Sequence, residues 1–296
     1  MHILKRKKFV YFSLITLFFL AGLIWAIIFQ SGSAAFLGGW QQAPLKIVFF
    51  DVGQGNSVFI EAPNKNQILI DGGPGSQILN KLGQAMPFFD RDIDALVLTH
   101  PDADHLNGLI DVLKKYKVDK IIEPCVVDSS AAYGEWNKLI EEKKIYKTCA
   151  KFGQKIKLDK GVELNILYPL QSLESKSLKN TNDASIAAKL FYGENKILLT
   201  GDTEEKTEYQ LINSGVDLKS QILQVGHHGS KSSTSENFLK AVNPEIAIIQ
   251  VGKNNRYGHP AQEVLGRLKN ISAKIFRTDL DGDIEFLCDE HNCESQ

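Results

Sequence analysis

His100-Pro101-Asp102-Ala103-Asp104-His105 packs four side chains able to ligate a cation into six residues. It follows Ala95-Leu96-Val97-Leu98-Thr99, an apolar run that reads as a buried strand. A strand ending in alternating His and Asp presents those groups at the edge of a sheet, where a tight loop can gather them around cations. Neutral imidazole and ionised carboxylate hold Zn²⁺ or Mn²⁺ while leaving a position open for water. The competing reading is a polar strand-to-helix loop in which one Asp caps a helix starting near Leu106.

The rest of the chain favours the first reading. Asp202 closes Leu198-Leu199-Thr200-Gly201-Asp202, again after an apolar run, where a carboxylate can bridge two metals or cap a helix beginning near Thr203. Residues 221–225 form another short apolar run and end in Gly226-His227-His228-Gly229-Ser230. Adjacent histidines between glycines suit ligation or substrate contact better than a core. A third run, 65–70, leads into Asp71-Gly72-Gly73, which is ordinary turn chemistry. From that place Asp71 could also orient the ligand loop from behind. Polar residues able to bind metal thus recur at the ends of successive buried strands.

The order Asp-Gly-Gly, His-x-Asp-x-Asp-His, Gly-Asp, His-His-Gly resembles the metallo-β-lactamase superfamily. Its usual first motif is His-x-His-x-Asp-His, and Asp102 stands here where the second His would be. With Asp51-Val52-Gly53-Gln54-Gly55-Asn56-Ser57, Asn182-Asp183-Ala184-Ser185 and His227-His228-Gly229-Ser230-Lys231, that departure resembles one branch. The branch is the extracytoplasmic hydrolase domain of ComEC DNA-uptake proteins. The likeness covers about 45–287. Asn56 departs from the Asp that this branch more often carries, and the likeness is expected to extend to one domain and not to the multi-helix channel.

The resemblance implies an α+β fold, a four-layer αβ/βα sandwich, and two divalent metal ions. On the superfamily's plan His100 and Asp102 serve the first metal, Asp104 and His105 the second, and Asp202 bridges. A further ligand comes from His227 or His228, and Asp183 or Asn182 fills the third His position. Carboxylate in place of imidazole at Asp102 makes the site harder, which shifts preference from Zn²⁺ toward Mn²⁺. Asp104 and His259, the latter in Tyr257-Gly258-His259-Pro260, are the expected catalytic residues. Ser230, Lys231, Lys253 and Asn255 are candidate phosphate contacts.

Of the chain's 296 residues 43% are hydrophobic, enough for one large core or two modest ones. Lys5-Arg6-Lys7-Lys8 precedes an uncharged, apolar stretch over 9–30. That stretch is long enough to span a bilayer, and the basic cluster favours a cytoplasmic N-terminus. The expected organisation is a basic end and transmembrane anchor over 1–30, a linker over 31–44 and the hydrolase domain over 45–296. The body would then lie outside the cytoplasm. Ser33-Ala34-Ala35 offers a cleavage site, so a secreted product is the alternative. Four cysteines allow three pairings, of which Cys125–Cys149 and Cys288–Cys293 are favoured.

Net charge is −1 overall, and −5 once the four basic residues of 5–8 are set aside, which is no footprint of a general nucleic-acid binder. Over 226–277 the balance reverses, with eight Lys/Arg against three Glu, so an anionic substrate could be steered to the His-His side. The function expected is a phosphodiesterase or nuclease acting on single-stranded DNA outside the cytoplasm, in partnership with a DNA-uptake channel. The alternatives are a small-molecule hydrolase of a phosphodiester, lactone or thioester, and a non-catalytic DNA-binding domain.

Periodicity predicts two strands over 46–62 around the Gly53-Gln54-Gly55 turn, and strands over 67–71, 95–99, 120–123, 163–168, 185–191, 196–200, 220–225, 245–251, 274–277 and 284–287. Helices are expected over 106–116, 133–144, 203–212, 235–241 and 261–268. Early strands followed by helix–strand alternation suit two mixed sheets packed face to face with helices outside.

Overall fold

The computed structural model describes residues 16–23 and 43–296. The chain divides into two compact units, Met1–Ala43 and Pro44–Gln296. In the first, residues 16–23 form helix α1. Among the described residues no helix is long and apolar enough to cross a membrane. Most of 1–30, where an anchor is expected, lies outside the described residues, as does most of the linker.

The second unit is built on two sheets. The first takes β1 (Leu45–Phe49), β2 (Val58–Glu61), β3 (Gln67–Ile70), β4 (Asp92–Val97), β5 (Lys117–Glu123) and β6 (Tyr146–Cys149). Its remaining strands are the last two, β14 (Ile284–Cys288) and β15 (Cys293–Ser295), in the order β15-β14-β1-β2-β3-β4-β5-β6. The second takes β7 (Lys155–Asp159), β8 (Val162–Tyr168), β9 (Ala187–Tyr192), β10 (Asn195–Leu199), β11 (Ile222–Gln224), β12 (Ile246–Ile249) and β13 (Lys274–Arg277) in reverse order. The halves share one plan. Strands β1 to β3 are antiparallel and β3 to β6 parallel, just as β7 to β10 are antiparallel and β10 to β13 parallel.

Alternation sorts the side chains into three apolar layers. Ile47, Phe49, Ile68 and Val97 of the first sheet meet Ile166, Leu190, Ile197 and Ile222 of the second in the central layer. The opposite faces of the first sheet's strands pack under α2 (Gln77–Ala85), α3 (Ala103–Lys115) and α4 (Ala131–Lys143). Those of the second pack under α5 (Glu205–Asn213), α6 (Glu236–Val242) and α7 (Gln262–Asn270). The result is helix, sheet, sheet, helix, a mixed α/β sandwich. A short helix, α8 (Thr278–Asp281), joins β13 to β14.

The favoured cysteine pairings are the ones formed, Cys125–Cys149 and Cys288–Cys293. Beside the first, the buried Glu123 carboxylate receives Tyr133 Oη at 2.9 Å and Trp136 Nε1 at 2.6 Å, with Lys147 Nζ at 3.1 Å. Three donors satisfy a charge that burial would otherwise penalise.

Several elements differ from expectation. The helix expected from Leu106 starts at Ala103, so the His-Asp stretch is half loop and half first turn. Between β1 and β2 the chain leaves the sheet over 50–57 instead of turning tightly. Helix α2 was not expected, because only Ile78 and Leu82 of its nine residues are buried and the pattern is too sparse to register. Strands β6 and β7 were also missed. Tyr146-Lys147-Thr148-Cys149 is short and mostly polar, and Lys155-Ile156-Lys157-Leu158-Asp159 is lysine-rich.

Candidate metal centre

The polar residues singled out in sequence lie where loops leave the C-terminal ends of parallel strands, the place where open α/β sheets collect ligands. Asp71 follows β3, His100 to His105 follow β4, Asp202 follows β10, and His227 and His228 follow β11. Two overlapping groups have donor atoms close enough to hold a metal ion: His100, His105 and Asp202, and Asp104, His105 and His228.

Each buried imidazole is held by one nitrogen and bare at the other. His105 donates Nδ1–H to Asp71 Oδ2 at 2.8 Å. Asp71 is locked in turn by Thr99, whose amide and hydroxyl reach its two oxygens at 2.8 Å each. His228 donates Nδ1–H to the Gln250 carbonyl at 2.8 Å, and His100 Nδ1 lies 3.1 Å from Thr99 Oγ1. The Nε2 atoms of His100, His105 and His228 are buried with no hydrogen-bond partner. His105 Nε2 lies 3.3 Å from Asp202 Oδ1, and His228 Nε2 lies 3.3 Å from both Asp202 Oδ2 and Asp104 Oδ2. Those contacts are close enough for charge attraction, but their alignment falls short of a hydrogen bond. Three orphaned imidazole nitrogens facing carboxylates is an arrangement that a cation completes, so the residues fit a metal.

The electrostatics follow from this crowding. Burial opposes charge on Asp202, but the His228 and His105 imidazoles outweigh it and hold the carboxyl well below its usual range. Asp104, also opposed by burial, is lowered to about 2 by His228 and His105. Burial likewise opposes a proton on His105 and His228. The Asp202 and Asp71 carboxylates nevertheless raise His105 well above the ordinary value, and Asp202 with Asp104 raises His228 to about 10.

Local backbone explains how the sequence achieves these positions. Asp102 occupies the N-cap of α3, yet its side chain makes no capping bond; Oδ2 faces His100 Nε2 at 3.7 Å. Asp202 is not a cap either, since α5 begins at Glu205 with Glu204 at the N-cap. His227 and His228 are both left-handed, with φ of 47° and 53°, a costly conformation for residues with a Cβ. Gly55 is obligatory: at φ of 141°, an added Cβ would stand 2.2 Å from the Asp104 carbonyl oxygen.

The structure distinguishes the two adjacent histidines. His228 is buried in the cluster. His227 turns its Nδ1 to Glu204 Oε1 at 3.2 Å and keeps its Nε2 3.9 Å from Asp202 Oδ2. Asp183 is not gathered in: its carboxylate pairs with Lys206 of α5, while the Asn182 backbone N–H donates to Asn180 Oδ1 at 3.1 Å. His259 stands one row out, its ring 5.8 Å from that of His227 and 5.9 Å from Tyr257. Burial lowers its pKa, and the neighbouring His227 and His228 rings lower it further.

Asn255 spends its amide within its own loop, donating to the Gly252 and His259 carbonyls at 3.1 and 2.7 Å and accepting from the Tyr257 and His259 amides. It therefore shapes the His259 loop and has little left to offer an anion. Ser230 is buried, with Oγ 3.0 Å from Ser232 Oγ, whereas Lys231 and Lys253 are exposed.

Sequence reasoning missed two polar residues here, Glu204 and Gln250, and noted a third, Asn56, only as a departure from the branch's usual Asp. Glu204 holds His227, Ser232 and Asn180 together, with Ser232 Oγ at 2.6 Å and Asn180 Nδ2 at 2.7 Å. Gln250, besides receiving His228, donates Nε2 to the Phe50 and Ser57 carbonyls at 3.2 and 2.8 Å, which ties the second sheet to the first. Asn56 donates Nδ2 to Asp202 Oδ1 at 3.2 Å. Adjacency of Glu204 to Gly201-Asp202-Thr203 was the one available signal.

Comparison with known proteins agrees with this geometry. ComE operon protein 3 of Bacillus subtilis is 32% identical over 258 residues, covering 81% of this chain and 33% of that protein. Competence protein ComA of Neisseria gonorrhoeae is 30% identical over 264 residues, covering 88% and 35%. The chain thus spans about a third of the length of the curated relatives it matches. In fold it is similar to Igni18, a metallo hydrolase from Ignicoccus hospitalis, with a TM-score of 0.54 at 17% identity over 82% of this chain and 98% of that one. The model of the metallo-beta-lactamase superfamily matches residues 50–253, and with the His-Asp cluster at the strand ends this chain belongs to that superfamily.

Proposed function

We propose that this chain is a metal-dependent phosphodiesterase that cleaves DNA outside the cytoplasm, held to the membrane by residues 9–30 and working beside a DNA-uptake channel. The observation that carries the hydrolytic part is the set of orphaned Nε2 atoms on His100, His105 and His228 facing Asp102, Asp104 and Asp202. The DNA substrate rests on the likeness to competence proteins and on the basic balance of 226–277.

Two divalent cations would be held by His100, Asp102, Asp104, His105, His228 and Asp202, which supply imidazole and carboxylate donors on both sides of the cluster. When bound, such cations supply Lewis-acid stabilisation and acidify water near neutral pH. Manganese suits the oxygen-rich Asp102 side better than zinc. The chain's own residues do the rest. Asp71 and Gln250 fix the His105 and His228 rings so that no reorientation is needed at the moment of reaction. His259, with its lowered pKa, offers a neutral imidazole to the phosphate or leaving group from the rim. Lys231 and Lys253 draw the phosphate backbone toward the cluster.

The test is hydrolysis of single-stranded DNA beside bis-p-nitrophenyl phosphate by the chain reconstituted with Mn²⁺ or Zn²⁺, with Asp104→Ala as control. Metal-dependent DNA cleavage that the substitution abolishes supports the reading. Cleavage of the small diester alone moves the function to a small-molecule hydrolase. No turnover with metal bound leaves a DNA-binding role.

A further inference from the structure

The metal centre leaves the other end of β4 unused. Between α2 and β4 the chain runs Met86-Pro87-Phe88-Phe89-Asp90-Arg91, and the Asp90 amide donates to the Pro87 carbonyl at 2.9 Å. That bond closes a β-turn whose two central residues are Phe88 and Phe89. Each is 88% exposed. Single exposed apolar residues are ordinary, but two adjacent phenyl rings at a turn tip form a patch that needs a partner.

The turn is rigid at its base. The Asp90 carboxylate accepts from Gln67 Nε2 at 3.0 Å and from the Asp92 amide at 3.1 Å, so its charge is used inside the loop. The Arg91 guanidinium lies 5.4 Å from the Tyr116 ring centroid and 5.9 Å from that of Phe88. Its carbonyl accepts from the Lys117 amide at 2.8 Å. Lys117 in turn sits 3.4 Å from both Asp92 and Asp119, which leaves the surrounding rim nearly balanced in charge.

The position of the turn identifies its partner. Lys46, second residue of β1, donates Nζ to the Ala85 carbonyl at 3.1 Å, one residue before the loop. The chain therefore enters the body at the edge that carries the two rings. The fourteen residues 31–44 connect this edge to the apolar stretch 9–30 and reach at most ~50 Å when extended. We infer that Phe88 and Phe89 insert into the lipid interface of the membrane in which 9–30 is anchored, and hold the body with its metal centre turned away from the bilayer. This rests on the anchor reading of 9–30. Six residues of β4 put the turn ~20 Å from His100, so its insertion leaves the ligand loops in water. The balanced rim makes ring burial, not headgroup charge, the source of the contact.

The experiment uses the full chain in phosphatidylcholine vesicles. Because the four native cysteines are paired, Phe89→Cys gives a single thiol for an environment-sensitive fluorophore, with Lys231→Cys as the counterpart beside the metal centre. Expected are co-flotation with vesicles, a blue shift and several-fold quenching by spin-labelled lipid at position 89, and neither optical change at 231. Adding Phe88→Asp should abolish the shift while co-flotation persists. A water-like label at 89 on a chain that floats would overturn the inference and leave the anchor standing. A chain that does not float removes both. A blue shift without lipid quenching means that a protein surface covers the rings, and overturns the inference in favour of a docked chain.

Discussion

Asp71 Oδ2 receives the Nδ1 proton of His105 at 2.8 Å, while Nε2 of the same ring faces Asp202 at 3.3 Å. One carboxylate thus sets the tautomer, and the other shares the side where a cation would sit. Asp71→Asn can present a donor where an acceptor is required. Divalent cation affinity should drop by about 10- to 100-fold with the fold intact, as partners behind metal-ligating histidines generally show. Competition with a chromophoric chelator measures it; unchanged affinity would mean that Asp71 serves Thr99 alone.

Protons and cations should compete. In the metal-free protein burial works against the His228 proton, but Asp202 and Asp104 raise the pKa from 6.5 to about 10. His228 therefore contributes stability in full below 6.5 and loses it as pH climbs through about 10. Asp104, lowered from 3.8 to about 2, contributes above 3.8 and loses its contribution as pH falls through about 2. At neutral pH, ligation requires His228 and His105 to give up Nε2 protons. Calorimetric titration in buffers of unlike ionisation enthalpy should show release of roughly one to two protons per chain. Buffer-independent heats would contradict these pKa directions.

Asn56 should trade stability against metal affinity. It now donates to Asp202, so Asn56→Asp replaces a hydrogen bond by two facing carboxylates in a buried place. The metal-free protein should lose about 1.5–3 kcal/mol, the scale of a hydrogen bond to a charged group, while Mn²⁺ affinity rises. Thermal melts with and without metal would separate the two effects. An unchanged metal-free Tm would show that the Asn56 contact is slack.

Away from the site, Glu123→Ala should be among the costliest single changes. It strips the partner from Tyr133, Trp136 and Lys147 together. A loss of about 3–5 kcal/mol is expected for removing one member of a buried charged group. Urea denaturation gives the figure, and a loss under about 1 kcal/mol would mean that water replaces the carboxylate.

The ligand loops were readable because each is a polar cluster directly after an apolar run, a contrast that survives without any structure. His100, Asp104, His105 and Asp202 converge for that reason. The choice between His227 and His228 was not readable, because it is made by two successive left-handed residues, and periodicity carries no information on φ. Asp183 shows a second limit. Its partner Lys206 lies beyond the Gly201-Asp202 turn on another element, and no local pattern reveals a pair 23 residues apart. Most strands and helices were legible from alternation and helical spacing, and the four-layer arrangement came with the family resemblance, whereas α2, β6 and β7 carry too few buried apolar residues to register.

The cluster draws His100, Asp104 and His105 from one half of the chain, Asp202 and His228 from the other, with Gln250 reaching across to Phe50 and Ser57. Neither half alone owns a complete cradle. Cation capture must therefore follow the docking of the late strands, and it comes near the end of folding. If the body folds beyond the membrane, as proposed, the ion would be drawn from the pool outside the cell's own buffering, and the supply of divalent cations in that space would help decide which ion the cradle holds.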